Sequence, residues 1–300
     1  MTPSSTYFDR QTGELKEERF YRRPFLLWTH NSKLGRALTT LVLRHQWFST
    51  LYGALNRSRL SKWRIRPFVK RMDVMMHEAA TPIEAFESFN DFFTREIDLS
   101  KRPVCSDPGI CVAPVDGKVL AYPSIGMNTE FSIKGRRFDL RRFLNDDALA
   151  ASFDGGSMVI SRLCLADYHH FHFPDSGLPQ QARPIAGKYH TGGPYAVKYL
   201  DPFYTENYRM ITMFDSDYFG TMALVEIGAF TVGSIQQRFQ SGSRVTKGAH
   251  KGFFELGGST VVLLFQMGTV ELDEDLCRNT QFGIETFVKV GDSIGRTRQP

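Results

Sequence analysis

Two glycines and a serine, Gly257-Gly258-Ser259, stand immediately before Thr260 to Phe265, a run of six residues suited to a buried strand. No other stretch constrains the fold as tightly. β-Branched and large apolar side chains favour a core strand, while glycine permits sharp backbone bends that a Cβ resists. Ser259 is therefore expected at a sharply turned, strained entry to a core strand.

Similar short apolar runs fill the second half of the chain. Residues 158 to 163, 210 to 214 and 223 to 227 read as strands, and Asp116-Gly117 inside 113 to 119 reads as a hairpin turn. The first half differs. A helix is expected after Asn31 or Ser32, with Leu34, Leu38, Leu41, Val42, Phe48, Leu51, Tyr52 and Leu55 as its apolar stripe. Thr81-Pro82-Ile83-Glu84 has the form of a second helix start, with Phe86, Phe89, Phe92 and Phe93 supplying a core face beyond it. Residues 1 to 19 read as a polar lead. The expected fold class is α+β: a β-rich catalytic domain, residues 81 to 300, behind a helical, amphipathic, basic N-terminal region, residues 1 to 80.

The basic character is concentrated in one segment. Phe20 to Met72 holds twelve Lys or Arg and no Asp or Glu, against a net charge of +5 for all 300 residues, so the remainder is net negative. All three tryptophans lie within it. Cations mixed with aromatic side chains suit the headgroup zone of an anionic bilayer, although a helix packed on its own domain explains part of the pattern. Nucleic-acid binding is disfavoured because no recognised nucleic-acid motif accompanies the charge. No apolar run reaches the roughly 20 residues of a membrane span, and the first thirty residues lack the pattern of a secretory signal. Four cysteines without a CxxC pair point to reduced thiols.

Three of the eight histidines lie in Asp167-Tyr168-His169-His170-Phe171-His172-Phe173-Pro174. On an extended chain His170 and His172 share one face and His169 takes the other. A metal site needs a third ligand that no second cluster supplies, so no metal is expected and a general base is the more economical use. Asp116 by itself suits a turn. Phosphate loops, dinucleotide fingerprints and GxSxG elbows are missing.

Taken together, FNDFFTREI (89 to 97), PVDGKV (114 to 119), DYHHFHFP (167 to 174), VGSI (232 to 235) and KGAHKGFFELGGST (247 to 260) resemble, in order and spacing, the phosphatidylserine decarboxylase family of bacterial proenzymes. The resemblance implies self-cleavage between Gly258 and Ser259 into a large fragment, 1 to 258, and a small one, 259 to 300. In the family Ser259 would attack the Gly258 carbonyl, with His172 as base and Asp116 orienting it. The serine becomes a covalent pyruvoyl group, which forms a Schiff base with the substrate amine and accepts electrons as carbon dioxide leaves. His169 would donate or position the proton returned to the α-carbon. Phosphatidylserine and an anionic membrane surface are the implied partners, the two fragments bind each other, and whether processed protomers pair as a homodimer is left open by the sequence. The implied location is peripheral, on the cytoplasmic face of the bacterial cell membrane. A pyruvoyl enzyme of the same fold acting on a soluble amino acid is the alternative.

Overall fold

A computed structural model describes residues 6–19, 21, 28, 32–43, 46–131, 136–188, 203–228, 235–256 and 259–298. The expected fold class holds: a sheet-rich body carries a few short helices. The strand that starts at Ser259, Ser259–Phe265, lies inside a ten-stranded sheet. Its order is Arg183–Ile185, Arg209–Ser216, Gly220–Gly228, Ser259–Phe265, Ser157–Leu163, Gly117–Tyr122, Glu285–Val288, Thr6–Asp9, Glu14–Glu17, with Gly177–Pro179 pairing beside Arg209–Ser216. Both faces of this sheet are covered. Val261, Leu263 and Phe265 enter one apolar cluster and Val262 and Leu264 another, which is why the run shows no polar alternation.

The N-terminal half departs from the sequence reading in three places. Residues expected as a polar lead instead form a hairpin, Thr6–Asp9 with Glu14–Glu17, and its first strand pairs parallel to Glu285–Val288. Arg10 anchors this hairpin by donating to Asp273 (2.9 Å) and Asp275 (2.8 and 2.5 Å). The pairing comes from a segment about 280 residues away and leaves no local periodicity to read.

Second, Thr81 to Glu84 forms a turn, and the helix begins at Phe89. Ser88 supplies the cap, its hydroxyl accepting from the Asp91 amide (3.1 Å) while the Asp91 carboxylate accepts from the Glu87 amide (2.8 Å). Phe86, Phe89, Phe92 and Phe93 are core, as expected, and join Ile65, Phe68, Met72 and Leu256 in a third cluster.

Third, Asp116-Gly117 does not close a hairpin. Ile110–Val112 pairs with Ser293–Thr297 in a separate sheet, so Asp116 occupies the bend by which the chain passes from one sheet to another.

The helix expected after Ser32 begins there, with the Ser32 hydroxyl accepting from the Gly35 amide (2.8 Å). It is short, Lys33–Leu38, and a π-helical turn, Thr39–Leu43, separates it from Gln46–Arg57. Of the expected stripe, Leu34, Leu41, Leu51 and Leu55 are all more than half exposed, while Tyr52 packs on the phenylalanine cluster. Among the described residues no helix is long and apolar enough to cross a membrane.

Candidate active site

Two connections bridge the same pair of sheets. His170–His172 belongs to a small three-stranded sheet with His250–Phe254 and Ile235–Gln237. One connection, 164–169, leaves Leu163 in the large sheet and enters this small sheet at His170. The other, 255–258, leaves Phe254 in the small sheet and enters the large one at Ser259, whose cross-strand neighbours are Leu163 and Gly228. At the opposite end the Phe254 amide donates to the His169 carbonyl (2.9 Å). The histidine motif and the glycine-serine junction, far apart in sequence, thus run between the same strand ends.

Gly257 and Gly258 lie outside the described residues, as do Val232 to Ser234 of the VGSI motif. Leu256 is buried in the phenylalanine cluster, and its amide donates to Asn90 of FNDFF (3.2 Å). Ser259 is 2% exposed and, among the described residues, its hydroxyl has no hydrogen-bond partner. A buried hydroxyl without a partner is unfavourable, which marks the residue for scrutiny.

The tautomers of the histidines follow from their partners. His169 Nδ1 lies 2.8 Å from the Asp167 carbonyl, which can only accept, so Nδ1 carries the hydrogen and Nε2 the lone pair. That Nε2 is buried and unpartnered among the described residues, and the ring sits 3.9 Å from the Phe93 ring, centroid to centroid. Burial, with the Arg95 charge adding to it, holds the His169 pKa well below the ordinary histidine value.

His172 donates from Nδ1 to the Gly248 carbonyl (2.9 Å), and its Nε2 lies 3.3 Å from the Tyr168 hydroxyl. Burial pushes its pKa down to about 4, and the Asp116 charge opposes that shift. Gly248 has φ +77°, and a Cβ there would meet a Val104 methyl at 2.6 Å, so the carbonyl that aims His172 is presented from a left-handed turn that favours glycine. His170 donates from Nε2 to the Thr94 carbonyl (2.9 Å), accepts at Nδ1 from His250 (2.9 Å) and is stacked on Tyr168. Among the described residues no cluster of three or more His, Cys, Asp or Glu is arranged to hold a metal ion.

Asp116 is buried close to these groups without a hydrogen bond to either His169 or His172. Its carboxylate accepts from Arg102 Nε (2.9 Å), Arg102 Nη2 (2.5 Å) and the Val290 amide (2.8 Å). Arg102 also donates to Glu78 (2.6 Å), which accepts in turn from Lys289 (3.0 Å). Gly248, rather than Asp116, orients His172 directly, and Asp116 acts on it through space.

Sequence reasoning missed Arg102, Glu78 and Lys289, whose types are ordinary on a surface and carry no local signal. Tyr168 could have been found, since positions 168, 170 and 172 share a face of an extended chain. Tyr168, Asp116, Arg95 and Arg102 line part of one cavity of about 820 Å³ that also reaches the N-terminal hairpin.

Residues 89–296 match the family model described as phosphatidylserine decarboxylase. The chain belongs to the phosphatidylserine decarboxylase family. Among its relatives, the phosphatidylserine decarboxylase proenzyme of Clostridium beijerinckii is 39% identical over 288 residues, 96% of this chain and 97% of the relative. Proteins of the same name from Chlamydia trachomatis (41% over 290 residues, 97% and 96%) and Chlamydia pneumoniae (38% over 293 residues, 98% and 97%) are similarly close. The family match spans the FNDFF helix, Asp116, the histidine strand and Ser259, and leaves the hairpin and first helices outside it.

Proposed function

We propose that this chain is a self-processing decarboxylase that converts phosphatidylserine to phosphatidylethanolamine and carbon dioxide, with a pyruvoyl group made from Ser259. The observation that carries this reading is the Ser259 hydroxyl: buried, without a partner among the described residues, on the first residue of a central strand. Such a group suits conversion, because removing it breaks no hydrogen bond.

In this reading the Ser259 oxygen attacks the Gly258 carbonyl carbon, and His172 takes the serine proton through Nε2, the nitrogen its tautomer leaves basic. The amide becomes an ester as that proton passes to the residue 259 nitrogen. Elimination across the Cα–Cβ bond of residue 259 then releases 1 to 258 with a carboxylate end, and hydrolysis of the resulting dehydroalanine sheds ammonia. Asp116, held by Arg102, favours the transient imidazolium. Once formed, the pyruvoyl keto group supplies an electron sink for decarboxylation. The apolar wall of Phe93 beside His169 suits a carboxylate about to leave as neutral carbon dioxide, because desolvation penalises the charged starting state more than the product. In this reading His169 positions the returning proton. With Nε2 bare and its proton affinity lowered, it must first take a proton before it can give one.

The exposed Leu34, Leu41, Leu51, Leu55, Leu60 and Trp63, interspersed with the exposed Lys33, Lys62 and Lys70, support peripheral attachment to an anionic membrane, the cytoplasmic face of the cell membrane in our reading.

Intact-mass measurement tests the core of this proposal. Two species are expected, 1 to 258 and 259 to 300, the smaller with a blocked N-terminus and without the Ser259 amine. A single uncleaved chain with an intact serine would overturn it.

A further inference from the structure

With Asp116 committed to Arg102, the group that touches the basic nitrogen of His172 is the Tyr168 hydroxyl. Tyr168 is 4% exposed, and its ring lies on His170 with centroids 4.8 Å apart and planes 4° from parallel. Since His172 Nδ1 carries its hydrogen to Gly248, Nε2 can only accept, and the phenol must be the donor across the 3.3 Å contact. That separation is long for a hydroxyl donor, so the bond is weak and exchangeable.

We propose that Tyr168 is a positioning residue for self-cleavage, whose hydroxyl caps His172 Nε2 and is exchanged for the Ser259 hydroxyl when the base acts. This rests on the reading of His172 as the base. In the exchange the Tyr168 proton turns to water in the cavity it lines. Nε2 accepts the Ser259 proton, and that proton is passed to the residue 259 nitrogen as its bond to the 258 carbonyl carbon breaks. The cap stabilises the neutral imidazole, so it also lowers the proton affinity of His172. The ionisable groups facing the pair are Asp116, His170 and His250 around His172, and Asp116, Glu96, Arg102 and Arg95 around Tyr168. None of them hydrogen-bonds Nε2 in place of the phenol.

Freshly translated full-length chain, sampled over time on denaturing gels across a pH series, tests the proposal. Tyr168→Phe retains the ring stack and loses the cap. Its cleavage should quicken about fivefold at neutral pH, the factor for one net hydrogen bond, and its acid limb should move to higher pH. Difluorotyrosine at position 168, a stronger donor, should do the reverse. Slower cleavage of Tyr168→Phe with an unmoved acid limb, or wild-type cleavage with difluorotyrosine, overturns the cap while leaving the base assignment standing. His172→Gln separates the two ideas: stalled cleavage keeps the base, and normal cleavage takes both down.

Discussion

Single side chains in this protein carry most of the chemistry and some of the instability. The Ser259 hydroxyl lacks a partner among the described residues, so Ser259→Ala should abolish cleavage without weakening the fold. Measured by urea unfolding, it should be as stable as another uncleaved variant, His172→Ala, or more stable by about 1–2 kcal/mol, since His172→Ala leaves the Gly248 carbonyl without its donor. A cleaved Ser259→Ala chain would show that the junction is misassigned. The histidines add a pH dependence whose sign follows from their depressed proton affinities. His170 and His172 titrate at about 4 in the folded protein, against roughly 6.5 unfolded. Below pH 6.5 the unfolded chain takes up protons that the native one refuses. Stability is thus fully present above 6.5 and is lost as pH falls toward 4, at up to about 1.4 kcal/mol per pH unit for each histidine. In a Ser259→Ala background, His170→Gln should make this slope shallower by one proton. An unchanged slope would place the acid sensitivity elsewhere.

At the scale of elements, the proposed cut before Ser259 would sever the chain ahead of a strand that is paired on both sides. Ser259–Phe265 lies between Gly220–Gly228 and Ser157–Leu163, and Glu285–Val288 lies between Gly117–Tyr122 and Thr6–Asp9, so the small fragment threads the large sheet twice. Side-chain bonds also cross the cut: Arg10 donates to Asp273 and Asp275, Glu78 accepts from Lys289, and Asp116 accepts from the Val290 amide, each pairing a large-fragment residue with a small-fragment one. The two fragments should co-elute in native size-exclusion chromatography and part only in denaturant. Arg10→Ala should weaken the association by about 1 kcal/mol, read as a lower guanidinium midpoint of that separation, a modest value because its ion pairs are partly exposed. Separation in plain buffer would contradict the topology.

For the molecule as a whole, the helical region 33–72 exposes Leu34, Leu41, Leu51, Leu55, Leu60 and Trp63 among basic residues, while the central strands Ser157–Leu163 and Ser259–Phe265 are buried throughout. Binding to phosphatidylserine-containing vesicles should therefore combine apolar insertion with charge attraction, and the second part should fade with salt as exposed charges are screened beyond ~8 Å at physiological ionic strength. In a vesicle flotation assay, Leu51→Glu combined with Leu55→Glu should weaken binding by roughly tenfold or more, because each replaces insertable surface with charge of the wrong sign. Self-cleavage of that variant should be unchanged, as the pair lies outside the Ser259 and His172 surroundings. Vesicle binding unaffected by both salt and these substitutions would remove this face from the proposal.

The local pattern of the chain determined a good deal by itself. The core strand at 260 to 265, the strands at 158, 210 and 223, and the phenylalanine face were legible because burial imposes composition and period on neighbouring residues. The ordered motifs of the family were legible for the same reason: each is a short stretch whose residues must stay together. What only the tertiary structure decided were the partners. Asp116 turned to Arg102 instead of His172, Gly248 took the histidine's other nitrogen, Tyr168 came to rest on its basic one, and residues 6 to 17 found an edge strand near the far end of the chain. Those choices depend on hydrogen bonds between segments with no shared periodicity, where a carboxylate or a carbonyl accepts whichever donor the packed sheets bring within about 3 Å.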